Sequence, residues 1–337
     1  MLSSRLCMGL RQLESSFINR QLLTTRRPAT CTFASSTDSE KKYLFFENKV
    51  QDLLKRLTRK DVNKVFRKRK DGEKVEAAVY KFMTTAQLEE ELKKADLKAD
   101  ELLQMPPVVP EREEIDEVLD KDEKLVGLLD TKIIFTDISL DKTDRSRTIA
   151  VRDVDGTLRL ATWEERSRMN QIYFPRPGRE IWVPHVFQDE ALQPILERKD
   201  YEFILNRACA QFEPDDPDYI RVTTKTYEAV NSFGDFDLLR STRHFGPLVF
   251  HLALTKNLDR LLIENLETDR LEDAAWALQL YNILHADAKI NHDYKRGAEL
   301  EFVKAYIDQC SKDNSQLELA YKHCKDFLSS PKSAAVA

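Results

Sequence analysis

Between residues 142 and 179 the basic side chains are Lys142, Arg145, Arg147, Arg152, Arg159, Arg166, Arg168, Arg176 and Arg179, eight arginines to one lysine. The planar guanidinium fork matches two phosphate oxygens at once, so this composition suits polyanion contact better than lysine would. Tyr173, Phe174 and Trp182 lie among or beside these residues, where an aromatic face next to an arginine is a stacking surface for a splayed RNA base. A plainer use is also open: Asp153, Glu164 and Glu165 can absorb several of the charges as salt bridges. A second basic set, Arg240 and Arg243 with His244 in LLRSTRHFG, stands at the start of a helical stretch whose free N–H groups favour phosphate. The third is the run from Lys55 to Lys70, which includes Lys64, Arg67, Lys68 and Arg69 and has Asp61 as its single acid. Such a run attracts polyphosphate or an acidic surface, or is simply a solvated face.

Other chemistries find little support. The histidines are His185, His244, His251, His285, His292 and His323, and none falls in H-E-x-x-H or H-x₃₋₅-H spacing. His323 and Cys324 are adjacent, and neighbours on a helix point apart, so no local thiol–imidazole pair is encoded. The five cysteines include no C-x-x-C, which argues against a zinc site or a disulfide framework. Phosphate-cradling glycine motifs and a nucleophile elbow do not occur. The clustered carboxylates of EREEIDEVLDKDEK have nothing to separate their pKa values and read as a solvated face. The expectation is a protein that is not an enzyme, with no cofactor, no metal and no small-molecule substrate.

The elements that hold these residues are mostly helical. Eight glycines in 337 residues disfavour an all-β design. Phe46, Val50, Leu53, Leu54 and Leu57 share one helical face. Thr84 with Gln87, and Thr162 with Glu165, form capping-box patterns opening TAQLEEELKKADLKADELLQ and WEERSRMNQIYF. KIIFTDIS and RTIAVRD read as strands, and Asp155-Gly156 predicts a type I′ hairpin turn between Val151 and Leu160. The acidic stretch before them predicts an extended arm with a short helix. Pro217 after Asp216 marks a first helical turn, and further helices are expected near 244–255, 258–267, 270–285, 293–310 and 314–328. The fold class is mainly α, a small β-hairpin element followed by an irregular array of antiparallel helix pairs.

Residues 1–37 carry five arginines against Glu14 alone, with many Ser and Thr, the composition of a cleavable mitochondrial presequence. The organisation that follows is a charged helical arm over 38–130, an Arg-rich hairpin and helix over 131–185, and a helical scaffold over 186–330. No run of 18 apolar residues exists, so no membrane span is expected. Net charge is −5 for the whole chain and about −9 without the basic leader. An acidic chain touches RNA only through local patches and otherwise meets proteins.

The blocks KFMTTAQLEEE, QMPPV, FTDIS, GTLRLATWEERSRMNQIYFP, AQFEPDDPDYI, KTYE and DLLRSTRHFG, in this order between about residues 43 and 285, carry a resemblance. Together they resemble the family of animal mitochondrial small-subunit ribosomal proteins numbered twenty-two. The resemblance implies a structural constituent of the small subunit in the mitochondrial matrix, supporting translation and subunit assembly, with the small-subunit rRNA and neighbouring ribosomal proteins as partners. It implies no catalytic residues. The alternative is a mitochondrial RNA-binding assembly or processing adaptor. The candidate rRNA contacts, read from the residues rather than the resemblance, are Arg145, Arg147, Arg152, Arg159, Arg166, Arg168, Arg176, Arg179, Arg240, Arg243, Lys64, Arg67, Lys68 and Arg69.

Overall fold

The first apolar stripe folds where its spacing puts it except at Phe46, which is exposed ahead of the helix while Phe45 is buried. After a short helix α1 (Ser36–Tyr43), helix α2 (Asn48–Thr58) buries Val50, Leu53, Leu54 and Leu57 on one face. Helix α3 (Val62–Val65) is a single turn capped by Asp61, and α4 (Thr85–Leu102) opens with the expected box. In that box Thr84 N–H donates to Gln87 Oε1 at 3.0 Å, and Gln87 N–H returns to Thr84 Oγ1 at 3.4 Å. The computed structural model describes residues 36–66, 79–128, 130–285, 290, 292, 294–311 and 314–329. The presequence expectation and the candidates Arg67, Lys68 and Arg69 lie outside the described residues.

The acidic arm departs from expectation. Its residues Val118–Lys121 form a strand, β1, which pairs with the far edge of the hairpin. With β2 (Ile133–Thr136), β3 (Ile149–Arg152) and β4 (Thr157–Leu160) it completes an antiparallel sheet in the order β1-β4-β3-β2. The edge of β4 would otherwise present unpaired N–H and C=O groups, and exposed, charged β1 covers it. The hairpin lies where expected, with Val151 opposite Arg159, but its turn is different. Asp153 N–H bonds Thr157 O, and Gly156 N–H closes a β-turn on Asp153 O at 3.1 Å. Gly156 alone takes positive φ, at 81°, which is the three-residue bulged turn and not the type I′ turn.

Gly156 is confined twice over. A Cβ there would stand 2.2 Å from the Asp122 carbonyl oxygen, which belongs to the backbone leading out of β1. Gly156→Ala should therefore lose at least about 2 kcal/mol in urea unfolding, from left-handed strain and displacement of β1 together. A loss within 0.5 kcal/mol, roughly the size of an ordinary surface change, would show that this contact is not confining.

Beyond the sheet the described chain is helix after helix. Helix α5 (Trp163–Tyr173) has its capping box of Thr162 and Glu165. There follow α6 (Asp189–Glu197), α7 (Tyr201–Gln211), α8 (Pro217–Phe233) and α9 (Phe236–Leu239). Asp216 caps α8 with Pro217 at its first position, and Gly234 ends it at φ 74°. The remaining helices are α10 (Phe245–Leu254), α11 (Asp259–Glu267), α12 (Leu271–Leu284), α13 (Glu299–Gln309) and α14 (Asn314–Ser329). Helix α13 starts later than 293 because Gly297, at φ 90°, and Tyr294 both donate to the Glu299 carboxylate and form a turn instead.

Helices α2 and α6 to α14 share one hydrophobic core, in which α2 packs against both α10 and α12. Ile149 and Val151 of β3 and Ala161 just beyond β4 form a separate small cluster with Ile134 and Met169. The fold is mainly α, an irregular helical array beside a small sheet.

Candidate nucleic-acid interface

A cleft of about 780 Å³ runs between α5, the stretch 176–183 and the loop that joins α7 to α8. Arg112, Arg145, Arg166, Arg168, Arg176 and Arg179 all line it, together with Trp163 and Trp182. Five of the nine sequence-predicted cations of 142–179 are thus brought to one place, while Lys142, Arg147, Arg152 and Arg159 do not line it. What the cluster meets first is this chain's own acid.

The α7–α8 loop supplies Glu213, Asp215 and Asp216. Arg179 and Arg176 bond Glu213 at 2.9 and 2.8 Å, Arg145 bonds Asp215 at 2.8 Å, and Arg112 bonds Asp216. Arg176 also reaches Asp144. Burial pushes the Glu213 carboxyl up, but Arg179, Arg176 and Arg145 outweigh it and hold the group below the usual carboxylate range. Amide contacts reinforce the join, with Glu180 N–H donating to Gln211 Oε1 and Gln211 Nε2 to Glu180 O, both at 2.9 Å. The sheet and α5 are therefore tied to the helical body through ion pairs and hydrogen bonds at this loop.

Three of the candidates are enclosed. Arg147, 2% exposed, donates to the carbonyls of Asp137, Ser139 and Lys142 at 2.7, 2.8 and 3.0 Å, and lies 3.8 Å over the Phe174 ring. Arg166, 5% exposed, donates to the carbonyls of Arg145 and Arg147, and burial lowers its pKa. It does not pair with Glu164 or Glu165. Arg240, 3% exposed, bonds Glu264 at 2.7 Å, Asn265 at 3.0 Å and Asp273 at 3.2 Å. These three guanidinium groups are enclosed, and their terminal N–H groups donate to backbone, amide or carboxylate oxygens of this chain.

The others stand nearer the surface. Arg159 is clamped between Asp153 and Glu165, whose hydrogen bonds hold its pKa well above the ordinary value. Arg152 bonds Gly156 O, and Arg168 pairs with Glu164 while covering the Trp182 ring at 4.0 Å. Arg243 bonds Asn206 Oδ1, and Lys64 pairs with Asp237. The side chains of Arg145 and Arg176 are the open ones in the cleft, 60% and 49% exposed. Of the aromatics, Trp182 and Tyr173 are exposed while Phe174 is taken by Arg147. His244 is buried against Asn206, and burial, with Arg243 beside it, pushes its pKa down to about 3, so it packs as a neutral ring.

Arg112 and the three loop acids escaped the sequence reading. The signal that points to them is EPDD itself, an acid cluster complementary to an arginine cluster elsewhere in the chain. Among the described residues no group of three or more His, Cys, Asp or Glu side chains is placed to hold a metal ion. No helix of the described residues is long and apolar enough to cross a membrane.

A helical array on one core, carrying a small sheet held by arginine–carboxylate pairs, defines a scaffold protein. The family described as mitochondrial 28S ribosomal protein S22 matches residues 43–286, and the chain belongs to that family. It is 40% identical over 304 residues to the small ribosomal subunit protein mS22 of Bos taurus, covering 89% of this chain and 84% of the relative. To the protein of the same name from Mus musculus it is 38% identical over 312 residues, covering 92% and 86%.

Proposed function

We propose that this chain is a structural, non-catalytic constituent of the small subunit of the mitochondrial ribosome, resident in the matrix. The observation that carries this reading is the family match over residues 43–286, supported by relatives of nearly equal extent bearing the small-subunit name. Its role there is to hold neighbours in place, with proteins as the main partners of an acidic surface and rRNA touching local basic patches. The enclosed Arg147, Arg166 and Arg240 stabilise the protein, and the rRNA contacts fall to exposed cations at the cleft, Arg145 and Arg176 foremost. Arg145 and Arg176 are the exposed ends of their ion pairs with Asp215 and Glu213, so a phosphate reaches them from the open side of the cleft. Trp182, next to Arg168, is the stacking surface for an unpaired base.

The test is the salt dependence of incorporation into small subunits depleted of this protein. If two phosphate contacts are removed, Arg145→Gln with Arg176→Gln should flatten the slope of log affinity against log salt by roughly 1.5. Between about 50 and 200 mM salt the wild type should then lose affinity about eightfold more steeply than the variant. Equal slopes would assign both arginines to internal pairing alone. Thermal unfolding of the isolated variant separates lost contact from lost fold.

A further inference from the structure

Helix α4 carries an apolar stripe of Leu88, Leu92, Ala95, Ala99 and Leu102 at helical spacing, which is buried at Ala99 while Leu102 beyond it is 47% exposed. Ala99 is buried where α4 meets α3, and Lys60 ties that end with bonds to Asp96 and Asp100 at 3.1 and 2.5 Å. Toward the N-terminus the stripe runs on without cover. Leu88 is 50% exposed and Leu92 60%. The chain that leads into the helix is more open still, with Tyr80 92% exposed and Phe82 fully exposed. Apolar side chains scattered singly need no explanation, but aromatics and leucines in succession along one projecting element do.

Charge says what kind of surface covers them. Helix α4 holds six carboxylates against three lysines, and Glu89, Glu90 and Glu91 stand between Leu88 and Leu92. RNA is repelled by such a flank. A second copy would set the same glutamates against each other. Residues 67–78 of this chain, RKRKDGEKVEAA, contain Val75 as their one large apolar residue, too little to fill the stripe. We infer that Phe82, Leu88 and Leu92 dock into an apolar groove with a lysine- and arginine-rich rim on a neighbouring protein. The mode is a helix laid in a groove, read by anchors one turn apart, with the glutamates facing the basic rim.

The experiment places a photo-crosslinking benzoylphenylalanine at position 88, 92 or 97 of the full chain in assembled small subunits. Leu97 is equally exposed but lies on the opposite side of α4. Positions 88 and 92 should both attach to one other protein, at apolar residues bordered by Lys or Arg, and position 97 should not label that site. Attachment to rRNA, to a second copy, to this chain's own residues, or to nothing overturns the inference. A second arm measures incorporation of Leu88→Asp with Leu92→Asp. It should fall by roughly tenfold or more, with Leu97→Asp unchanged and the unfolding temperature preserved. Undiminished incorporation also overturns it, and where the pair lowers the unfolding temperature the crosslinks decide.

Discussion

Arg240→Ala is expected to destabilise the protein by about 3–5 kcal/mol in equilibrium unfolding. The guanidinium is enclosed, bonds Glu264, Asn265 and Asp273, and lies 4.8 Å over the Phe245 ring. Asp273, whose side chain has no exposure, shares its carboxylate between Arg240 and Arg59. Removing Arg240 leaves a buried carboxylate with one partner, which the protein cannot offset by hydration. Arg59 is half-exposed and reaches Asp273 at 2.9 Å from the far end of α2. The loss should be strongly non-additive with Asp273→Ala, since either change removes the same contact. A double-mutant cycle that returns simple additivity would mean that the pair contributes nothing specific. Within LLRSTRHFG, Arg240 thus joins α11 and α12 from inside, and the shared Asp273 ties in Arg59 at the end of α2.

Arg147→Met should produce the second large effect, and a differently distributed one. The change strands the carbonyls of Asp137, Ser139 and Lys142, each worth roughly 1–3 kcal/mol if it stays dry. It also removes the cation from the Phe174 face. Because the sheet has its own small hydrophobic cluster, the damage should stay there. Hydrogen exchange should accelerate across residues 137–161, while amides in α10 and α12 keep their protection. Uniform acceleration through both regions would show that the sheet and the helical core unfold as one unit. Arg145→Gln, two residues away and exposed, should leave exchange in both regions close to wild type.

What the sequence made legible was local. Thr84–Gln87 and Thr162–Glu165 act within four residues of themselves, so their capping boxes form as read, and Asp216-Pro217 opens α8 for the same reason. The hairpin was visible in its strand residues. Its turn type was not, because Asp153 N–H bonding Thr157 O leaves three residues in the loop and only Gly156 with positive φ. Strand β1 was hidden altogether: VLDK is exposed along its length, and what makes it a strand is the free edge of β4 some forty residues later. The surroundings of the arginines were hidden in a similar way. Arg145 and Arg147 look alike in a string, yet one faces solvent and the other satisfies a loop of backbone carbonyls. Which is which depends on Phe174 and on the path of 137–147, neither of which leaves a short-range pattern.

The seat of α2 between α10 and α12 has a consequence in time. Arg59 and Asp273 are separated by 214 residues, and the leucine face of α2 has its packing partners at that distance along the chain. A chain delivered from its N-terminus therefore shows Val50, Leu53, Leu54 and Leu57 long before anything can cover them. At about 5–20 residues per second of synthesis, the interval is about 10 to 40 seconds. Over that period the leucine face of α2 stands without its packing partners, and closing the core waits for the arrival of α12.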